Sequence, residues 1–258
     1  MVLGTLSCHE VGLEVPGRVL CRALTFEIGP RQVWAVLGKN GTGKSTLIHT
    51  LAGLQPAASG RVELDGRPLS ALSARARALA VGVLLQIEES AYWGTVEDYV
   101  TLGRYPHGNS WSGASREDRE EARAALDAVG MAELARQKFA TLSGGERQRA
   151  RIAQILAQGP RVFLLDEPLQ HLDLAHQGRV LTLIAARARE HDDSAVMVLH
   201  EPLWIGRSCT HAVIFTGDGT AHAGPAEEVL TRERLEHAYG CALREVAHGA
   251  GRCFVPDV

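Results

Sequence analysis

Gly38-Lys39-Asn40-Gly41-Thr42-Gly43-Lys44-Ser45 sets three glycines, a terminal lysine and a hydroxyl within one short stretch. That spacing suits a chain of phosphates. Glycine lets backbone N–H groups approach anionic oxygens without a Cβ in the way. Lys44 could reach the outer phosphates and Ser45 could ligate Mg²⁺; Asn40, Thr42 and Thr46 complete the candidate contacts. The four fixed positions arise by chance in roughly one chain of this length in a hundred, so context decides. Val33 to Leu37, just before, is an apolar run suited to a buried strand, and Leu47, Ile48 and Leu51 take helical spacing. A helix starting there adds its positive end to the cradle.

A second group is Asp166-Glu167, closing the apolar run Val162-Phe163-Leu164-Leu165. A hard cation prefers oxygen ligands, which suits Asp166 to Mg²⁺. Glu167 is placed to polarise an attacking water, help commonly worth about 10²–10⁴-fold. An acidic turn after a strand is common, and the cradle upstream favours the catalytic reading. The third group is Leu142-Ser143-Gly144-Gly145-Glu146-Arg147-Gln148. Ser143 and Glu146 form a capping box that opens a helix. Twin glycines in its first turn cost about 1 kcal/mol each against alanine. They make sense if the free N–H groups must lie against an anion.

This last stretch resembles the LSGGQ/LSGGE signature of the ATP-binding-cassette family, and the resemblance covers nearly the whole chain. It implies ATP and Mg²⁺ as ligands, with Gly38 to Thr46 as the cradle and Asp166 and Glu167 as metal contact and base. It implies a head-to-tail homodimer, in which Ser143, Gly144 and Gly145 bind the γ-phosphate of ATP held by the other copy. Gln86 is similar to the glutamine that senses Mg²⁺ and the attacking water. Asp173 is similar to the aspartate that crosses the dimer interface, and His200 to the switch histidine on the γ-phosphate. The chain departs from the family at three places: the segment Leu13 to Gly17, where the family usually carries an aromatic residue to stack on adenine, has none and offers Val15 instead; Leu169-Gln170 replaces a small polar pair; and Glu201-Pro202 follows the histidine.

Thr95-Val-Glu-Asp-Tyr-Val and Gly103-Arg-Tyr-Pro-His107, with Leu235-Glu-His-Ala-Tyr239-Gly240 near the end, resemble the importer branch that handles ferric siderophores, haem and cobalamin. This implies integral membrane permease subunits as partners and, through them, an external substrate-binding protein. The chain is then expected at the cytoplasmic face of the membrane. Two alternatives stay open, import of another small solute and a soluble cassette ATPase acting on a macromolecular partner.

The composition is that of an ordinary globular chain: 258 residues, 45% hydrophobic, net charge −3. No basic stripe points to nucleic acid. Arg147, Arg149 and Arg151 are expected on different faces of a solvated or subunit-facing helix. Five cysteines without a C-x-x-C pair argue against disulfide staples and a zinc cluster. The beginning lacks the pattern of a signal peptide, and no apolar run approaches a membrane span.

The expected fold is α/β, the P-loop NTPase fold of ABC ATPases: a mixed sheet core with an N-terminal antiparallel β portion and an inserted α-helical lobe. One domain is expected, with residues 1–87 and 160–258 forming the core and 88–159 the lobe. Alternating Leu24, Phe26 and Ile28 read as antiparallel strand, Gly217-Asp218-Gly219 as a hairpin turn, and Ala226 to Tyr239 as one helical piece.

Overall fold

The computed structural model describes residues 4–86, 92–108, 113–199, 208–248 and 251–257. Strands β1 (Leu6–Val15) and β2 (Arg18–Ile28) form an antiparallel hairpin that turns at Pro16-Gly17. On β1's other edge lies β4 (Ser59–Leu64), followed by the two-residue β5 (Arg67–Pro68). Leu24, Phe26 and Ile28 alternate inward along β2, as period-2 geometry requires.

The central sheet contains β3 (Val33–Leu37), β6 (Val81–Leu84), β7 (Val162–Leu165), β8 (Ser194–Val198), β9 (His211–Phe215) and β10 (Ala221–Pro225). Its order is β10-β9-β3-β8-β7-β6, parallel throughout except for the β9–β10 hairpin. β3, β7 and β8 are buried along their whole length because both faces are covered. Trp34, Val36, Leu164 and Val196 face the antiparallel sheet and helix α1 (Lys44–Leu51). Val33, Ala35, Phe163 and Met197 face the other way, into a core shared with the helical segments. The strand pattern therefore separates two cores.

Between β6 and β7 come α3 (Val96–Thr101), α4 (Arg116–Ala128) and α5 (Gly144–Gln158), after the short α2 (Ala74–Ala80). Each of α3, α4 and α5 opens with a reciprocal capping box, on Thr95, Ser115 and Ser143 respectively. Arg104 meets Asp118 at 3.1 Å and Arg123 meets Glu97 at 3.0 Å. Tyr99 stacks on Phe139 at 4.0 Å, with Tyr92 edge-on to both, contacts commonly worth about 0.5–1.5 kcal/mol each. The stretch is not wholly free of β pairing, since Thr95 and Lys138 form an isolated bridge.

After β7 runs α6 (Leu174–His191), capped by Asp173. The expected single helix from Ala226 to Tyr239 is broken into α7 (Ala226–Val229) and α8 (Arg232–Tyr239). Thr231 causes the break: it takes extended backbone and its hydroxyl accepts from Arg234 N–H, starting a new helix. β11 (Leu243–His248) and β12 (Gly251–Pro256) then pair as a hairpin that the sequence patterns had not indicated. No helix among the described residues is long and apolar enough to cross a membrane.

Candidate functional site

β3 delivers the glycine loop and α1 carries it away. Gly38 sits at φ 137°, and a Cβ there would lie 2.7 Å from the Phe215 carbonyl oxygen, so only glycine fits the close approach of the loop to β9. The Thr42 hydroxyl donates to the Lys39 carbonyl at 2.8 Å and closes the loop on itself. α1 has no side-chain cap and no acidic residue in its first turn, which leaves its first N–H groups available to an anion. Lys44 is buried and its Nζ donates to the carbonyls of Gly38 at 2.8 Å and Lys39 at 2.9 Å. Burial pushes its ammonium below the usual lysine range, opposed by the charges of Glu167 and Asp166. Ser45 and Thr46 are half-buried on the first turn, while Asn40 and Gly41 are exposed.

β7 ends beside this loop. Asp166 is 1% exposed, and neither carboxylate oxygen has a hydrogen-bond partner among the described residues. Burial pushes its carboxyl above the usual range; the neighbouring Ser45 hydroxyl opposes this, and Glu167 adds to it. A buried carboxylate with no donor beyond the neighbouring Ser45 hydroxyl is costly, and a divalent cation held jointly with Ser45 would remove that cost. The residues present therefore fit Mg²⁺.

Glu167 is buried in left-handed backbone, φ 52°. The Gln170 side-chain amide donates to Glu167 Oε2. Gln148, buried on α5, donates to the carbonyls of Glu167 at 3.3 Å and Pro168 at 3.1 Å. Gln86 is exposed just beyond β6, the strand next to β7. The preceding Leu85 carbonyl accepts from Arg151 on α5. His200 and Glu201-Pro202 lie outside the described residues.

Ser143, Gly144 and Gly145 form the start of α5. Ser143 and Gly144 are exposed, and Gly145 is half-buried against the loop that leads to Asp173. A Cβ on Gly145 would lie 2.9 Å from the His171 carbonyl oxygen, hence the glycine. Glu146 accepts from the Ser143 backbone N–H and hydroxyl, both at 2.8 Å. The backbone donor, first, and the hydroxyl hold its carboxyl below the usual range. Asp173 Oδ1 accepts from His176 N at 2.8 Å, and its carboxyl is lowered chiefly by that bond.

The three arginines point to different faces of α5, as expected, and also bond neighbouring groups. Arg147 reaches the Leu142 carbonyl, Arg149 those of Val129 and Gly130, and Arg151 the Gln148 side chain at 3.0 Å. Val15, 41% exposed, ends β1 in the open. Arg18, opposite it, brings Nη1 to 3.8 Å from where a Cβ on Gly41 would lie, so the residue over the glycine loop is a cation. Sequence reasoning had also passed over Tyr239. Its phenol faces the Gly38 backbone, and burial raises its pKa to about 12, offset in part by that backbone. No local pattern marks such a contact, because the two residues lie at opposite ends of the chain.

Comparison with known proteins agrees with this geometry. Residues 21–170 match the ABC transporter family model. The chain is 36% identical over 265 residues to the hemin import ATP-binding protein HmuV of Burkholderia lata, covering 95% of this chain and 97% of that protein. It is 38% identical over 217 residues to the ferric enterobactin transport ATP-binding protein FepC of Escherichia coli, covering 84% and 80%. A solved metal-chelate type ABC transporter in an inward-facing conformation superposes with a TM-score of 0.85 at 28% identity, covering 98% of both chains. A dimeric ATP-binding cassette bound to ADP and phosphate, at 22% identity and TM-score 0.76, shares the fold. With its glycine cradle, partnerless buried aspartate and capped twin-glycine helix, the chain belongs to the ABC transporter family, as one of its ATPases.

Proposed function

We propose that this chain is the ATP-hydrolysing subunit of an importer of metal chelates, ferric siderophore or haem, working as a head-to-tail dimer on a membrane permease. Exposure of the Ser143–Gly144 turn carries the reading. Twin glycines in the first turn of a helix are costly, and they are accounted for by a γ-phosphate presented by a second copy. Full-length similarity to import ATPases for hemin and for ferric enterobactin supports the cargo class.

In this reading Gly38, Asn40, Gly41, Thr42, Gly43, Lys44, Ser45 and Thr46 cradle the triphosphate. Ser45, Asp166 and Gln86 would hold Mg²⁺, which would supply charge neutralisation at the phosphate oxygens. Ser143, Gly144 and Gly145 of one copy close over the ATP of the other, and Asp173 crosses between them. Water attacks the γ-phosphorus as the bond to ADP breaks, and Glu167 takes the water's proton. His200 contacts the γ-phosphate. The core of residues 1–87 and 160–258 and the lobe of 88–159 move relative to each other about Gln86 and the segment before Gly159.

The permease docks beside the lobe, where Trp93 is 85% and Tyr105 73% exposed. Next to them lies a cavity of about 330 Å³ lined by Asp98, Leu102, Arg104 and Asp118. An aromatic, charged hollow of this kind suits an amphipathic helix from a partner. Docking there places the chain at the cytoplasmic face of the membrane.

The test is the Glu167→Gln variant. It is expected to bind ATP, lose steady-state turnover and form an ATP-dependent dimer on size exclusion. A variant that stays monomeric in saturating MgATP overturns the composite site. Expressed with its membrane partner, the wild-type chain should co-purify with the permease and drive uptake of a ferric siderophore or haem. Uptake of neither overturns the cargo assignment alone.

A further inference from the structure

The loop between Asp166 and Asp173 is fastened by three glutamine side chains. Gln148 holds the carbonyls of Glu167 and Pro168 from α5. Gln177, on α6, donates to the Leu172 carbonyl at 3.1 Å. Gln170, inside the loop, turns back and donates its amide to Glu167 Oε2. The first two fix main chain. Gln170 reaches the carboxylate itself.

The main chain at Glu167 is already set by its left-handed φ of 52° and by Gln148. The last torsion of a glutamate side chain is intrinsically broad, so the groups that bond the carboxylate, Gln170 among them, set its plane. A donor on one carboxylate oxygen fixes the plane of the group and orients the pair of oxygens before nucleotide arrives. Pre-orientation of a base raises rate without altering how tightly substrate binds.

We infer that Gln170 is a positioning residue for hydrolysis, aligning the Glu167 carboxylate to receive the proton of the attacking water. The inference rests on the reading of Glu167 as the base. The step balances: the water oxygen bonds to the γ-phosphorus, the phosphorus–oxygen bond to ADP breaks with its electron pair leaving on ADP, and the water proton passes to Glu167. Gln170 exchanges no proton. Its contribution is geometric, and it also links the base to the loop that ends at Asp173.

The experiment measures steady-state kcat and KM for MgATP, with nucleotide affinity by equilibrium binding, in the full chain. Gln170→Ala is expected to lower kcat about tenfold, with KM and affinity unchanged within about twofold. Gln170→Glu, nearly isosteric, replaces the donor with a second carboxylate and is expected to lower kcat further. Gln170→Asn keeps an amide on a shorter arm and should recover part of the loss. In a Glu167→Gln background, Gln170→Ala should change the residual single-turnover rate by less than about twofold, since the two residues act as one unit. Wild-type kcat in Gln170→Glu overturns the inference, as does an alanine defect that persists undiminished without Glu167. Should the alanine variant misfold, the glutamate variant carries the test. Wild-type turnover in Glu167→Gln overturns the base assignment instead, so the two failures are told apart.

Discussion

The side-chain amide of Gln148 donates to the backbone carbonyl of Glu167 at 3.3 Å and to that of Pro168 at 3.1 Å. The helix that begins at the twin glycines is thereby fastened to the loop that carries the acidic pair. On the same helix Arg151 reaches the Leu85 carbonyl, next to Gln86. Any displacement of the helix start therefore acts on the neighbourhoods of both Glu167 and Gln86.

Replacing Gln148 with Leu leaves two carbonyls near the buried end of β7 without this donor. Losing such a bond commonly costs about 1–3 kcal/mol. We expect a lower midpoint in urea unfolding and a reduced kcat, with ATP affinity at the cradle retained. An unchanged midpoint would show that water replaces the amide at no cost.

Gly145→Val forces a Cβ to within 2.9 Å of the His171 carbonyl oxygen unless the turn moves. In the proposed composite site, a shifted turn would no longer present its N–H groups to the γ-phosphate held by a second copy. ATPase activity should fall by more than about tenfold, a loss typical of removing one oxyanion-type donor. Binding of ATP to the variant's own cradle should persist, which equilibrium dialysis measures. Joint loss of both would place the glycine in the cradle's own support.

Asp166→Asn removes a buried negative charge whose oxygens have no hydrogen-bond partner among the described residues. Such a group is costly while no cation neutralises it. We expect the nucleotide-free variant to melt no lower than wild type, while Mg²⁺-dependent turnover is lost. Calorimetry with and without MgATP checks both halves. A large destabilisation without nucleotide would mean that the charge serves the fold through Lys44.

Acid should loosen the helical region before the central sheet. Asp98 is held below its ordinary 3.8 chiefly by the Thr95 hydroxyl, and Asp118 below 3.8 chiefly by the Ser115 backbone N–H. Glu146 is held below 4.5 in the same way by Ser143. Each lowered acid stabilises the fold above its ordinary value, and that stability is lost as pH falls through the lowered one. Helical ellipticity should therefore begin to drop below about pH 4, ahead of loss of Trp34 burial by fluorescence. Simultaneous transitions would count against the three capping boxes as the cause.

Much of this was legible in sequence because the determinants are contiguous. Gly38 to Ser45 can wrap a phosphate chain through their own backbone, and Val162 to Glu167 put two acids at a strand end because a continuous apolar run of strand length precedes them. Ser143 and Glu146 meet across one helical turn, so their capping box is local. Those features name the cradle, the acids and the expected partner surface before any coordinates.

What only tertiary structure decided is which groups reach them from afar. Gln148 on the Glu167 carbonyl, Gln170 on its carboxylate, Arg18 over Gly41, Tyr239 facing Gly38 and the partnerless state of Asp166 all depend on packing. The break at Thr231 and the closing hairpin likewise follow from competition between a local cap and a longer helix, and between neighbouring strands. Periodicity reports which face of an element is apolar. It carries no information on which polar side chain another element will bring within hydrogen-bonding distance, and that is where the site acquires its second set of residues.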